Sequence, residues 1–347
     1  MEIKEIKEDF YKRIKQEAFL KNIPLQSEID LTYQCNAKCF FCFQGDEHKN
    51  KRKLLDYDEI CDILIQLKSM GCLFIGFSGG EPFLRQDFIE ILKFAKKLGF
   101  VISIITNLQM ANKQQIEELC KIGVNRITVS FHSIDPERYC SIFKVDLKKY
   151  DSALRNIKTL IENNVSVGVA VTVSNVNYFE MHKIREFFLN LGMRERDINF
   201  NMLIQGKNDI QNCRQDDNFE KYISNHRELK NEIIEKSDSI LCSAGRTSLT
   251  INPYGDVLPC TFFNAIAGNI REEKIFDIWN NSHVFKFIRS IKSEDFDKCN
   301  GCKNKNYCHI CMANNMNESS DFRVPSFRYC DFRMKITDNL LGEDYEN

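Results

Sequence analysis

The stretch that decides the fold is EIDLTYQCNAKCFFC, residues 28–42, in which a strand-like run leads into three closely spaced cysteines. Polar and apolar residues alternate at its start, as they do in a β-strand. Cys35, Cys39 and Cys42 follow at C-x3-C-x2-C spacing, with an aromatic residue directly before the third. Four thiolates close a zinc site or saturate an iron–sulfur cluster, whereas three leave one position open. The spacing therefore indicates a metal centre with room for a further ligand.

Outward from this stretch, residues 28–204 alternate short β-type runs with amphipathic helical runs. CLFIGFS, residues 72–78, predicts a strand, and QDFIEILKFAKKLG, residues 86–99, predicts a helix. Six such units with right-handed crossovers predict an α/β fold, with a parallel sheet curved into a partial (β/α)6 TIM-like barrel. Ligands of such barrels bind at the carboxyl ends of the strands, which is where the three cysteines fall.

The composition limits where the protein acts and what it binds. The chain has 347 residues, 28% of them charged, and a formal net charge of −1, so nothing favours nucleic acid or an anionic membrane as a partner. The N-terminus is too charged for a signal peptide and no apolar run is long enough to span a bilayer, so we expect a cytoplasmic protein. Fifteen cysteines are many for that compartment, where disulfides are rare and grouped cysteines indicate metal.

A second group of seven cysteines lies after residue 241. Its members are Cys242, Cys260, Cys299, Cys302, Cys308, Cys311 and Cys330. Taken alone, the C-x2-C pairs within it could form a zinc ribbon, although seven cysteines do not divide into sets of four. For the first group the corresponding alternative is a zinc site completed by His48. The other five cysteines stand alone and are expected to be small buried hydrophobic side chains.

GFSGGEP, residues 76–82, follows the second predicted strand. The three-cysteine loop and this motif, in this order and placement, resemble the radical S-adenosylmethionine (SAM) superfamily. The resemblance implies a [4Fe–4S] cluster on Cys35, Cys39 and Cys42 whose remaining iron binds SAM. It also implies reductive cleavage of SAM to a 5′-deoxyadenosyl radical, which abstracts a hydrogen atom from the substrate.

The resemblance further implies which residues contact SAM. Gly79 and Gly80 would let the backbone approach the methionyl amine without a Cβ in the way, and Glu81 would bind that amine or cap the following turn. Phe41 would lie beside the adenine. Lys144 stands where many relatives carry an arginine, so a bidentate clamp on the SAM carboxylate is not expected. Polar residues at the ends of the third and fourth strands complete the expected cofactor-binding set, namely Thr106, Asn107 and Ser130. No residue stands out as a catalytic acid or base.

The cysteines after residue 241, with the flanking SLTINPYGDVLPC (248–260), resemble the cysteine-rich SPASM extension, which carries two auxiliary [4Fe–4S] clusters. Three clusters are therefore expected in all. By resemblance the distal auxiliary cluster is held by Cys299, Cys302, Cys308 and Cys330. The nearer one is held by Cys242, Cys260 and Cys311. No eighth cysteine precedes Cys242 closely, so the nearer cluster is expected to have an open or non-cysteine fourth position, with Cys213 as an alternative ligand. The loop between Cys308 and Cys311 is one residue shorter than the family pattern.

The predicted organisation has five parts, namely an N-terminal helix (1–27), the partial barrel (28–204), a helical bridge (205–240), the SPASM domain (241–333) and a C-terminal tail (334–347). The N-terminal helix either packs across the barrel or docks a partner peptide. Few residues precede the first strand, so the chain is not expected to carry a fused leader-recognition domain. A separate leader-recognition protein is one route to the substrate.

Relatives with a SPASM extension most often modify a ribosomally made peptide or protein. The expected function is therefore a radical SAM maturase that makes an oxidative change in a peptide or protein, such as a thioether or carbon–carbon cross-link. Two alternatives stay open, a radical SAM dehydrogenase of sugars or aminoglycosides and a peptide epimerase. The expected electron donor is a protein of the flavodoxin or ferredoxin type.

Overall fold

The computed structural model describes residues 3–45, 47–202, 241–263, 265–305 and 310–327, with nine further positions. These are 218, 221, 222, 225, 226, 308, 330, 331 and 334. Most of the predicted bridge, Cys213 and nearly all of the predicted tail lie outside the described residues. Of the other four lone cysteines, Cys72 is buried and Cys61, Cys120 and Cys140 are half-buried.

A single nine-stranded sheet, in the order β6-β5-β4-β3-β2-β1-β7-β8-β9, organises the described chain. The strands are β1 (Gln26–Asp30), β2 (Phe74–Ser78), β3 (Val101–Thr106), β4 (Arg126–Ser130), β5 (Val167–Val173), β6 (Ile198–Met202), β7 (Ser248–Ile251), β8 (Asp256–Leu258) and β9 (Gly268–Asn269). Neighbours among β1 to β6 are all parallel, and the sheet does not close. The predicted α/β fold with a partial barrel is confirmed.

Helices connect the strands and form the outer layer. In the described residues they are α1 (Ile3–Lys21), α2 (Tyr57–Ser69), α3 (Phe88–Lys97), α4 (Lys113–Ile122), α5 (Pro136–Phe143), α6 (Leu147–Glu162), α7 (Met181–Asn190), α8 (Ile275–Asn281), α9 (His283–Ser290), α10 (Asp297–Asn300) and α11 (Met312–Ser319). Local sequence fixes several ends: Asp56 and Glu59 form a capping box at the start of α2, and Gly123 ends α4 in the left-handed region. None of the described helices is long and apolar enough to cross a membrane.

The two faces of the sheet differ in chemistry. Ile29, Ile75, Ile104 and other apolar side chains of one face are fully buried and pack with the helices. The strand register places small and polar residues side by side on the opposite face, because side chains alternate along each strand. One such row crosses β7, β1, β2 and β3 and consists of Thr250, Glu28, Gly76 and Ser103. We call this surface the polar face; it faces away from the helical layer.

The chain returns to the sheet after residue 241. Strand β7 lies parallel to β1, with Gln26 opposite Ser248, and β8 and β9 extend the sheet in antiparallel fashion. The sheet is thus continuous across the predicted domain boundary, and the boundary itself stays a prediction. The region beyond it contains short helices and turns, as its sequence indicates.

Polar contacts join this C-terminal region to the barrel. The buried Asp256 carboxylate accepts from Arg52 through both oxygens, at 2.5 and 2.7 Å. Arg271 donates to both oxygens of Glu59 on α2, at 2.6 and 2.9 Å. The Trp279 indole N–H donates to the Asn22 carbonyl just after α1, at 2.7 Å. The end of the N-terminal helix is therefore held against the C-terminal region.

Candidate functional site

The first three cysteines lie on the loop that follows β1, at the carboxyl end of the parallel strands. Cys35 is exposed, and Cys39 and Cys42 are half-buried. Burial raises the pKa of the Cys39 thiol above its usual range, and the neighbouring thiols of Cys42 and Cys35 add to this effect. The structure therefore brings together the three thiols that the sequence grouped.

The GGEP loop packs directly against the backbone that carries these cysteines. The Gly80 N–H donates to the Thr32 carbonyl at 2.6 Å, and the Glu81 N–H donates to the Gln34 carbonyl at 2.9 Å. A Cβ on Gly79, whose φ is +129°, would lie 2.2 Å from the Thr32 oxygen. A Cβ on Gly80 would lie 2.1 Å from the Gln34 oxygen. Both glycines are therefore required by the close approach of two loops; their approach to the SAM amine stays a prediction.

Glu81 is fully buried and ties this loop to the end of β3. One carboxylate oxygen accepts from the Thr106 hydroxyl at 2.6 Å and from the Phe83 N–H at 3.1 Å. The other accepts from the Asn107 N–H at 2.8 Å. Burial raises the pKa of Glu81 to about 7, although these three donors favour its charged form. Of its two expected roles, the turn cap is present, and the contact with the SAM amine stays a prediction.

The side chains of Thr106 and Asn107 differ in their hydrogen-bond partners, and therefore in how readily each could contact a cofactor. The Thr106 hydroxyl is occupied by Glu81 and is 2% exposed, so its contact with SAM would require this bond to change. The Asn107 side-chain amide lies 3.7 Å from the Cys35 sulfur and donates to the Asn36 side-chain oxygen at 3.0 Å. An N–H donor beside a thiolate favours the charged sulfur, so Asn107 suits a metal-ligating cysteine.

A polar network behind Cys35 escaped the sequence analysis. Asn36 donates to the Gln109 side-chain oxygen at 2.6 Å, and the Gln109 amide donates to the buried Tyr139 hydroxyl at 2.8 Å. The only local signal is proximity, because Asn36 adjoins Cys35 and Gln109 lies two residues beyond Asn107. The network fixes the orientation of the side chains closest to the first cysteine.

Phe41, expected beside the adenine, packs edge-to-face against His132 at a centroid distance of 4.9 Å. The Nδ1 atom of His132 accepts from the Thr172 backbone N–H at 3.0 Å, and burial lowers its pKa to about 3. His132 is therefore a neutral ring with its proton on Nε2, and it too escaped the sequence analysis. Ser130 ends β4 half-buried on the polar face. Lys144 ends α5 in the left-handed region and its charge lowers the pKa of Cys39.

Some of the seven later cysteines lie close enough to affect one another's pKa. Burial raises the pKa of Cys260 to about 12, with further contributions from Cys242 and Cys311. The guanidinium of Arg246, which is buried at 6% exposure, lies near Cys242 and supplies positive charge there. Elsewhere in the group, burial raises the pKa of Cys299 to about 11, and the thiols that add to this effect are Cys308, Cys330 and Cys302. The assignment of each cysteine as a ligand stays a prediction.

The donor geometry bears on the choice between zinc and iron–sulfur clusters. Within the described residues, no three His, Cys, Asp or Glu side chains are placed to hold a single metal ion, and the His48 side chain lies outside them. In a [4Fe–4S] cluster each thiolate binds a different iron, so the ligands stand farther apart than around one ion. Grouped thiols with amide and guanidinium donors nearby fit the negative charge of such a cluster.

Comparison with known proteins agrees with this geometry. The Radical SAM superfamily profile matches residues 29–188, and the profile of the SPASM iron–sulfur cluster-binding domain matches residues 242–303. The AdoMet-dependent heme synthase of Methanosarcina barkeri is 25% identical over 346 residues, covering 90% of this chain and 98% of its own length. The antilisterial bacteriocin subtilosin biosynthesis protein AlbA of Bacillus subtilis is 24% identical over 318 residues, covering 87% of this chain and 70% of AlbA.

A solved structure shows the same fold. The crystal structure of Streptococcus suis SuiB bound to precursor peptide SuiA superposes with a TM-score of 0.70 at 21% identity, covering 89% of this chain and 76% of SuiB. Cys242 to Cys302 lie within the matched SPASM range, and Cys308, Cys311 and Cys330 lie beyond it. The matched domains, their order and the fold together identify the chain as a radical SAM enzyme with a C-terminal SPASM domain, whose cofactors are iron–sulfur clusters and SAM.

Proposed function

We propose that this enzyme is a maturase of a ribosomally made peptide or protein and makes an oxidative change in it, such as a thioether or carbon–carbon cross-link. The observation that carries the proposal is the second cysteine group, in which thiols after residue 241 raise the pKa of Cys260 and of Cys299, on the same chain as the radical SAM partial barrel. Auxiliary clusters can accept electrons, which a net oxidation requires. The similarity to AlbA and SuiB, whose names and titles refer to bacteriocin biosynthesis and a precursor peptide, supports a peptide substrate.

The proposal assigns three [4Fe–4S] clusters. Cys35, Cys39 and Cys42 hold the cluster that binds SAM, and the sets of three and four hold the nearer and distal auxiliary clusters. When bound, the first cluster and SAM supply a carbon radical that abstracts hydrogen.

The chain's own residues position this chemistry. Glu81 fixes the glycine loop against the cysteine loop, and Asn107 donates toward the Cys35 sulfur. Phe41 and His132 form an aromatic wall at the end of β4, next to the place expected for the adenine. The polar face offers the substrate a surface of hydroxyl, amide and carboxylate groups beside the cysteine loop. The proposed partners are a peptide substrate, a flavodoxin- or ferredoxin-type electron donor and a separate leader-recognition protein, all in the cytoplasm.

One observation favours a second candidate, a small-molecule radical SAM enzyme. The heme synthase of Methanosarcina barkeri aligns over 98% of its own length, and its name refers to a small-molecule product. The two candidates predict different products: a peptide whose mass has changed in the first case, and a changed small molecule in the second.

The deciding experiment is anaerobic reconstitution followed by iron analysis and turnover with dithionite and SAM. We expect about twelve irons per chain, from three clusters of four, and release of 5′-deoxyadenosine that Cys35→Ala abolishes. Peptides encoded beside the gene are then incubated with the enzyme and analysed by mass spectrometry. Loss of hydrogen atoms from a peptide supports the maturase. Efficient SAM cleavage with every such peptide unchanged, and with a small molecule consumed instead, overturns it.

A further inference from the structure

Strand β1 carries two carboxylates on the polar face. Glu28 and Asp30 are two residues apart, so both side chains project to the same side of the sheet. The register places Thr250 of β7 and Gly76 of β2 beside Glu28, and Ser78 of β2 beside Asp30. The carboxylates therefore stand among small and polar neighbours, on the face of the sheet opposite the helical layer.

Asp30 differs from the other buried carboxylates of the described chain. It is 1% exposed, and neither of its oxygens has a hydrogen-bond donor at bonding geometry within the described residues. Each of the others accepts at least two hydrogen bonds from side chains or backbone amides; they are Glu81, Glu180, Asp197 and Asp256. An unpaired buried carboxylate is energetically unfavourable, so such a group usually marks a missing partner.

The surroundings of Asp30 do not supply that partner. Burial and the neighbouring Glu28 raise the pKa of Asp30, while the Tyr33 hydroxyl opposes this without completing a bond at normal geometry. The Ser78 hydroxyl opposes, in the same way, the burial that raises the pKa of Glu28. Two adjacent carboxylates, with no cation among the described groups that shift the pKa of either, make this position electrostatically unfavourable when both are ionised. A positively charged hydrogen-bond donor would relieve both the missing bonds and the like-charge repulsion.

The position is also suited to a substrate. β1 ends at the loop that carries Cys35, and its other end lies beside the start of β7, which follows Cys242. A molecule lying along the polar face would thus pass Glu28 and Asp30 between the two cysteine groups. Carboxylate oxygens accept charge-assisted hydrogen bonds from an ammonium or guanidinium group, so an organic cation suits the pair.

We propose that Asp30 and Glu28 form a subsite that binds a cationic side chain of the substrate, an ammonium or a guanidinium group. The proposal rests on the proposed peptide substrate and names the chemistry of one of its residues. Asp30 supplies two free acceptor oxygens, and Glu28 supplies the second negative charge. A charge-assisted bond of this kind is about twice as strong as a neutral one, which makes the subsite selective for lysine or arginine over an apolar side chain of the same length.

Binding can be tested without turnover. The reconstituted, oxidised holoenzyme is titrated with N-acetyl-lysine methylamide, its arginine counterpart and its uncharged norleucine counterpart, with saturation-transfer NMR as the readout. We expect at least one of the two cationic probes to bind at least tenfold more tightly than norleucine. The comparison of lysine with arginine tells an ammonium preference from a guanidinium preference.

Two variants locate the effect. Asp30→Asn keeps the shape and removes the charge, and we expect it to abolish the tenfold preference; Glu28→Gln, at a half-buried position, should weaken it. Asp62→Asn is the matched control, because Asp62 is exposed on α2, where it accepts from Gln66 at 2.6 Å and lies 3.8 Å from the exposed Lys274 ammonium, far from β1. It should keep the full preference. SAM affinity, measured in parallel, should be unchanged in all three variants.

The outcomes separate this proposal from the proposed function. Equal binding of charged and uncharged probes, or a preference that survives both β1 substitutions, overturns the subsite. A selective loss of SAM binding in Asp30→Asn would instead assign the carboxylate to the cofactor and also overturn it. A cation preference without any modified peptide would leave the subsite in place and remove the maturase. A modified peptide without a cation preference would support the maturase and overturn the subsite.

Discussion

The two sets of three cysteines show two ways of building a metal site. Cys35, Cys39 and Cys42 occupy eight consecutive positions on one loop, and two glycines clamp that loop to its neighbour through backbone contacts. Cys242, Cys260 and Cys311 come from three segments, which the β7–β8 hairpin and the helices α8 to α10 separate along the chain. The first set is therefore specified locally, whereas the second depends on the tertiary structure around it.

The largest expected effect comes from breaking the local clamp. In Gly80→Ala the new Cβ would lie 2.1 Å from the Gln34 backbone oxygen, and backbone cannot rotate away as a side chain can. We expect the free energy of unfolding to fall by about 3 kcal/mol, the upper end for overpacking. SAM cleavage should fall about hundredfold, because the cysteine loop would be displaced. Urea unfolding and 5′-deoxyadenosine release measure the two effects.

Gly76→Ala is the control, on β2 and four residues before Gly80, which lies in the loop after that strand. Its new Cβ would meet the Ser103 hydroxyl oxygen at 3.4 Å, an ordinary contact, so stability and SAM cleavage should change little. Equal damage from the two substitutions would contradict the view that the close contact of Gly80 with the cysteine loop causes the loss.

An intermediate effect should follow removal of iron. Structural metal contributes folding energy where it joins distant segments, so the second set should depend on it more than the first. Hydrogen exchange of the reconstituted and chelator-treated enzyme measures this segment by segment. We expect a large loss of protection over residues 241–327 and a loss confined to the cysteine loop within residues 28–202. Equal loss in both regions would contradict the contrast between local and tertiary specification.

The smallest effect concerns the attachment of the C-terminal region to α2. Arg271 holds the pKa of Glu59 at about 2, below its ordinary 4.5. Because this folded-state pKa is depressed, the pair stabilises the fold above about pH 4.5 and this contribution is lost as the pH falls toward 2. Glu59→Gln should cost about 1 kcal/mol at pH 7, including the weakened helix cap, and progressively less below pH 4.5.

Urea unfolding of the reconstituted holoenzyme, down to the lowest pH at which its iron content stays constant, gives the comparison, because the region that carries Arg271 is expected to depend on iron. Glu90→Gln, on exposed α3, is the control and should track the unsubstituted chain. A constant difference between Glu59→Gln and the unsubstituted chain at every pH would show that the cap, rather than the ion pair, accounts for the loss.

The sequence predicts what is encoded by short-range pattern. The strands of the barrel, the cysteine loop and the GGEP turn all follow from alternation, helical periodicity or fixed spacing. The pairing of β7 with β1 does not, because nothing local relates two strands about 220 residues apart. The grouping of the later cysteines could be anticipated only from a family resemblance.

The orientation of polar side chains was the least predictable part of the site. Thr106 and Glu81 both look available for a ligand in the sequence, yet they bond to each other, because a buried carboxylate needs donors. The contacts of the Asn36–Gln109–Tyr139 network and the unpaired state of the Asp30 carboxylate depend on which face of each strand is turned to the interior. Both become visible only once the register of the sheet is known.

The parallel pairing of β1 with β7 has a consequence for synthesis of the chain. β1 emerges from the ribosome early, and its partner on that side emerges about 220 residues later. During that interval the edge of β1 presents unpaired amide and carbonyl groups, which can recruit strands of other nascent chains. Folding is complete only when the cysteine-rich segment arrives to cover that edge. Expression that slows translation through residues 30–248 should therefore favour aggregation, whatever the supply of iron.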